Sequence, residues 1–204
     1  RECICQILLQ SLFAFGLAEV INTVSAKMVG VINGIDYGYF SPEHGGDIYA
    51  SYTARTVKSG KKKNKLALQE ELDLERDGKK FMIGLEVNPK KMMIGIVSRL
   101  TDQKGFDLVA HVMDEMCMDD VQFVILGTGE PEYEQLFRDL ESRHANVKAL
   151  IKFDRVISKK LYASADIFLM PSKSEPCGLA QMISCSYGTI PVVRAVGGLY
   201  DSII

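Results

Sequence analysis

The 204-residue chain is poor in the side chains that build metal and redox centres. Its three histidines, His44, His111 and His144, lie far apart, and no Cys-x-x-Cys pair occurs among its five cysteines. Those absences remove the familiar zinc spacings and a thioredoxin-like motif, so no metal and no redox cofactor are expected. Cys3, Cys5, Cys117, Cys177 and Cys185 sit mostly among apolar neighbours. They read as small buried hydrophobes in a reducing, cytoplasmic compartment. The chain also lacks an excess of charge of either sign. Its net charge of −2 provides no overall basic field to hold nucleic acid or an anionic membrane. The one basic run, Lys58 to Lys65, reads as a solvated loop leading into a helix.

No long uninterrupted apolar run occurs either. Glu2, Gln6, Gln10 and Ser11 break the first twenty-one residues, which are too polar to span a membrane and lack the pattern of a signal peptide. An amphipathic helix is expected there. The chain opens on Arg1 and stops on Ile204 in an apolar stretch. Both ends read as cut, so a part of a longer protein is expected. No internal repeat or low-complexity tract is present. The 47% of hydrophobic residues nevertheless supplies ample material for a core.

From residue 90 onward short apolar runs recur at Met92–Val97, Val121–Leu126, Val147–Phe153, Ile167–Met170 and Thr189–Val193. Continuous runs of this length suit strands buried on both faces. Amphipathic stretches separate them. Phe106, Val109, Ala110, Met113 and Met116 share one helical face; Tyr133, Leu136, Phe137 and Leu140 share another; Leu179, Met182 and Ile183 begin a third. Each gap is long enough for a helical crossover, which predicts an α/β fold with a doubly wound, mostly parallel Rossmann-like sheet. A further helix is predicted over Asn64–Glu75, and Asn33-Gly34-Ile35-Asp36 signals a turn.

Such sheets bind ligands outside the carboxyl ends of their strands. Four stretches fall there. Ser98-Arg99-Leu100-Thr101-Asp102-Gln103-Lys104-Gly105 follows a strand and opens a helix. Arg99 and Lys104 beside a helix N-terminus suit a diphosphate; the alternative is a polar loop with two exposed cations. In Pro171-Ser172-Lys173-Ser174-Glu175-Pro176-Cys177-Gly178-Leu179, Pro176 suits a helix start, Gly178 admits close backbone approach, and Glu175 is placed to accept hydrogen bonds from sugar hydroxyls. Equally, Glu175 serves as an acidic residue favoured near a helix N-terminus. Cys177 reads as packed rather than nucleophilic. Gly127-Thr128-Gly129 reads first as a tight turn. Gly197-Gly198 admits either a phosphate or a turn.

These pieces, in this order, resemble the glycogen and starch synthase family. The likeness extends from about residue 18 onward. It rests on Asn22-Thr23-Val24-Ser25, Gly30 to Asp36, Val97 to Gly105, Ala165-Asp166-Ile167, Pro171-Ser172, Glu175-Pro176-Cys177-Gly178-Leu179 and Gly197-Gly198-Leu199. The resemblance implies the carboxyl-terminal lobe of a two-lobed GT-B fold. Residues 1–36 would be a hinge segment between lobes and residues 37–204 a nucleotide-sugar-binding domain. It further implies glucose transfer, with retention, from ADP-glucose or UDP-glucose to the non-reducing end of an α-1,4-glucan. Arg99, Lys104 and Glu175 take the catalytic positions. Asn33, Ser98, Gly127, Gly129, Cys177, Gly178, Leu179, Gly197 and Gly198 take donor-binding ones. No metal, nucleic acid or membrane partner is implied. The family's amino-terminal lobe, which supplies the acceptor site, has no counterpart in the chain. It departs from the pattern at Ala180 (commonly threonine), at Arg155 (usually acidic) and by a shortened stretch between Ser25 and Gly30. Ile183 stands where many GT-B enzymes carry a second glutamate. Two other readings are a nucleotide-binding module without catalysis and a sucrose synthase-like or trehalose-forming GT-B enzyme. The Cys-Gly-Leu after Glu175-Pro176 argues against the last.

Overall fold

A computed structural model describes residues 18–27, 29, 33–44, 46–74 and 91–203. The five apolar runs form β1 (Met92–Val97), β2 (Val121–Leu126), β3 (Val147–Leu150), β4 (Ile167–Met170) and β5 (Ile190–Val193). All neighbouring pairs are parallel, and the strand order is β3-β2-β1-β4-β5. The helices are α1 (Ala18–Val24), α2 (Val57–Glu71), α3 (Phe106–Met116), α4 (Pro131–Arg143), α5 (Arg155–Ser164), α6 (Ala180–Ser186) and α7 (Gly197–Ser202). The expected doubly wound Rossmann-like sheet is therefore present.

Side-chain parity divides the core between the two faces. Ile94, Ile96, Phe123 and Ile125 pack with Phe106, Val109 and Met113 of α3 and with Tyr133, Phe137 and Leu140 of α4. These are the helical faces expected from spacing. The intervening Met93, Val124 and Leu126 point the other way, against Leu68 of α2 and Ile157 and Leu161 of α5. A third cluster joins Tyr162, Phe168, Ile183 and Tyr187, with Ile35, Phe40 and Ile48 packed on it.

Two runs are shorter than expected. β3 ends at Leu150, which leaves Phe153 in a loop, and Thr189 precedes β5. There its hydroxyl donates to Tyr162 O at 2.6 Å, with Ala165 O a further 3.0 Å neighbour. β5 lies at the sheet edge with Ile190 and Val192 exposed; its continuous apolar run did not mean burial on both faces.

The basic run is not a solvated loop. It forms the first turns of α2, which starts at Val57 and ends at Glu71; the predicted end at Glu75 lies outside the described residues. Two of its lysines turn inward. Lys61 Nζ lies 2.6 Å from Thr189 Oγ1 and 3.3–3.4 Å from the carbonyls of Tyr162, Ala163 and Tyr187. Lys65 Nζ pairs with Asp166 and donates to Lys91 O at 3.0 Å. A buried ammonium is tolerable only with such a set of oxygens, and remote elements supply them. Lys58, Lys62 and Lys63 stay exposed. Of the expected amino-terminal helix, α1 covers residues 18–24; residues 1–17 and Gly30 to Ile32 lie outside the described residues. Among the described residues no helix is long and apolar enough to cross a membrane.

Candidate functional site

The strand order fixes where the sheet opens. The chain winds outward from β1 through β2 to β3, then returns to the other side of β1 to lay down β4 and β5. The order therefore reverses between β1 and β4, and an open α/β sheet gapes at such a switch point. The loops that leave β1 and β4 are residues 98–105 and 171–179, which carry the expected cations and the expected glutamate. The fold brings them edge to edge.

Lys104 and Glu175 meet there as an ion pair, their side chains only 14% and 12% exposed. Glu175 is thus not a free acceptor at the rim; one of its oxygens is already engaged. The ammonium carries three protons and retains donors for a further ligand. Arg99, on the same loop, is exposed, and its side chain has no ion-pair or hydrogen-bond partner among the described residues. Across the two loops Lys104 and Lys173 are paired with carboxylates, and Arg99 is the cation left unpaired among the described residues.

The two loops are tied by their backbones. Lys173 N donates to Gln103 O at 2.9 Å, and Gln103 Nε2 donates to Ser174 O at 2.9 Å. Gly105 adopts φ 72°, and a Cβ there would stand 2.2 Å from Pro171 O. Lys173 Nζ reaches Asp102 Oδ1 at 2.6 Å and Asp107 Oδ2 at 3.1 Å. Tyr133 adds its hydroxyl to Asp102 at 3.1 Å. Lys173, then Tyr133, hold the Asp102 carboxyl below the usual range, and the two carboxylates hold Lys173 above its own.

The glycines allow close backbone crossings. Gly127-Thr128-Gly129 is no simple turn. It extends the pairing of β1 with β2, with Leu100 N donating to Thr128 O and Glu130 N to Leu100 O. A Cβ at Gly127 would lie 1.9 Å from Ser98 O, and one at Gly129 2.1 Å from Leu100 O. Gly178 takes φ 68°, and the Gln181 amide occupies the place a side chain would need. That amide donates to the carbonyls of Cys177 and Gly178 and to Ser202 Oγ. Gly198 lies against the Cys177 backbone and donates its N–H to Glu175 O at 2.8 Å. Gly197, at φ 54°, opens α7. Gly197-Gly198 thus starts a short helix that buttresses the Glu175 turn.

Other expected positions come out differently. Helix α6 starts at Ala180, so Pro176 is an exposed loop residue rather than its first one. Cys177 is half-buried, as a packed residue should be, and Leu179 is exposed. Ser98 is half-buried and donates to Arg99 O. Cys117 is buried, which pushes its thiol up to about 11, but Cys185 is exposed rather than a buried hydrophobe. Asn33 is exposed ahead of a turn that Asp36 caps through the N–H groups of Gly38 and Tyr39. No hydrogen bond or ion pair joins either residue to the two loops among the described residues. Ile183 points into the core.

Sequence reasoning passed over Phe153. It is 80% exposed at the carboxyl end of β3, with the Arg155 guanidinium 5.9 Å from its ring centre. Asp154 places it by capping α5, its Oδ1 accepting from Ile157 N at 3.0 Å. An exposed phenylalanine between Lys152 and Asp154 was the available signal, masked by treating the residues up to 153 as one strand. Among the described residues no group of His, Cys, Asp and Glu is arranged to hold a metal ion.

Residues 79–204 match the family model for glycosyl transferases, group 1. The chain is 51% identical over 180 residues, 88% of its length, to a glycogen synthase of Lachnospira eligens. It is 45% identical over 188 residues, 92% of its length, to one of Exiguobacterium sibiricum. It spans 35% and 37% of the length of those relatives. Among solved structures it is similar to the catalytic domain of starch synthase IV from Arabidopsis thaliana bound to ADP and acarbose. That match has a TM-score of 0.87 and 33% identity, and covers 98% of this chain and 39% of the other.

Proposed function

The chain belongs to the group 1 glycosyltransferases, and from that premise we propose that it is the donor-binding part of a retaining glucan synthase. In this reading the whole enzyme moves glucose from ADP-glucose to the non-reducing end of an α-1,4-glucan. The observation that carries it is the convergence of Arg99, Lys104 and the Glu175 turn at the one switch point of the sheet. A nucleoside diphosphate needs cations already in place where charge accumulates on the leaving group. Such fixed charges contribute most to rate because they need no rearrangement during the reaction. Arg99 supplies a free planar fork of donors, and Lys104 supplies the protons that Glu175 leaves unused.

Glu175, held by Lys104 through one oxygen and by Gly198 through its carbonyl, keeps its other carboxylate oxygen for sugar hydroxyls. Phe153 offers a flat apolar face for the base at the neighbouring strand end. Two fixed cations supply the charge that a metal ion supplies in other phosphate sites, so the reading calls for none. The chain spans 35–37% of the length of the two glycogen synthases it matches. This chain is therefore expected to bind ADP and ADP-glucose without transferring glucose by itself. The solved relative bound to ADP supports the nucleotide.

The test is calorimetry with ADP, UDP and ADP-glucose, followed by incubation with ADP-glucose and glycogen. Binding of ADP and ADP-glucose without glucan extension is expected. Failure to bind any of the three would overturn the donor-binding reading, and glucan extension by this chain alone would overturn the division of labour.

A further inference from the structure

Lys173 has no part in the chemistry above, yet it makes two ion pairs at the rim. Its ammonium bridges Asp102 on the short 3-10 turn of residues 102–104 and Asp107 in the first turn of α3. Its N–H is bonded to Gln103 O. Lys173 and Gln103 thus cross between the two loops one residue from Lys104 and two from Glu175. A three-residue 3-10 turn has poor hydrogen-bond geometry of its own and depends on such outside anchors. Tyr133 holds Asp102 from the far side, so the anchor is a network of four side chains rather than an isolated pair. Networks of this kind outweigh single exposed ion pairs.

We propose that Lys173 is a positioning residue: its bridge to Asp102 and Asp107 sets where the Lys104 ammonium stands for a diphosphate. The proposal rests on the donor-binding reading. Without the bridge, the turn keeps its two bonds at Gln103 but loses its anchors at Asp102 and Asp107. The Lys104 ammonium is then less closely fixed beside Glu175, where a diphosphate has to meet it. Lys173 itself touches no ligand, and its effect passes through the 102–104 turn.

The test compares the wild-type chain with Lys173→Met, Lys173→Arg, Asp102→Asn and the Asp102→Asn/Lys173→Met double variant. Each is titrated calorimetrically with ADP and with AMP, and each is melted. Lys173→Met is expected to weaken ADP about fivefold and AMP by less than about twofold, because the displaced ammonium serves the diphosphate. Lys173→Arg, which can span both carboxylates, keeps ADP binding within about twofold of wild type. The double variant is no weaker than the worse single variant, since both changes break one bridge. Unchanged ADP affinity in Lys173→Met, equal losses for ADP and AMP, or additive losses in the double variant would each overturn the proposal. If Lys173→Met does not fold, Asp102→Asn and Lys173→Arg decide by the same criteria. If wild type binds neither nucleotide, the donor-binding reading fails first, and this inference fails with it.

Discussion

Lys104 and Glu175 neutralise each other in a nearly enclosed position, and that contact governs what each can do for a ligand. A carboxylate beside the ammonium competes with phosphate for its protons, so part of the cation's strength is held in reserve. Glu175→Gln removes the competing charge while keeping the shape. It is expected to tighten ADP a few-fold, and to lower stability by about 1–3 kcal/mol because Lys104 loses its counter-charge. Calorimetry and urea denaturation measure the two effects; weaker ADP binding in Glu175→Gln would show that the glutamate does not restrain Lys104. Arg99, Lys104 and Glu175 could each be read from the sequence, because each follows an apolar run at a strand end. Their pairing could not, because the partners stand 71 residues apart and only the strand order brings them together. Phe153 and Cys185 were misjudged for a simpler reason: apolar neighbours in sequence do not guarantee burial at a strand end or on the outer side of a helix.

The β1 and β2 loops run so close that Gly127 is a packing requirement. Gly127→Ala forces the Ser98 carbonyl away from a Cβ at 1.9 Å. A cost of about 1–3 kcal/mol in denaturant unfolding is expected, with weaker ADP binding as the Arg99 loop shifts. Wild-type stability in that variant would mean that the loops yield freely. In α2 the run of lysines looked like a loop because like charges in sequence usually seek water. The oxygens that accept Lys61 belong to α5 and the residues between α6 and β5, and nothing local announces them. Burial brings Lys61 down from 10.5 to about 8, against the opposing pull of Asp166 and with the help of Lys65. The native state therefore binds fewer protons than the unfolded chain between those values, and stability rises with pH across that window. Between pH about 7.5 and about 9.5 the wild-type melting temperature is expected to gain on the order of 5 °C relative to Lys61→Met. Above that range the buried Tyr52, Tyr162 and Tyr187, whose ionisation burial suppresses, begin to oppose the trend. Parallel melting curves for the two proteins over the same window would contradict the assignment.

Across the whole molecule, alternation of apolar runs with amphipathic stretches was enough to read a doubly wound sheet, because buried parallel strands and one-sided helices leave different periods. Strand order was not readable, and it places the candidate site: with β4 beside β1, the two loops come together. The chain spans 35–37% of the length of the glycogen synthases it resembles. Arg99 and Lys104 are proposed to seat the diphosphate. Titrating ADP into the wild-type chain and into the Arg99→Ala/Lys104→Ala variant tests that assignment most directly. Saturable one-to-one binding is expected for wild type, with a loss of at least about a hundredfold in the variant, since each charge-assisted contact contributes roughly 1.5–3 kcal/mol. Equal affinity in a folded double variant would contradict it.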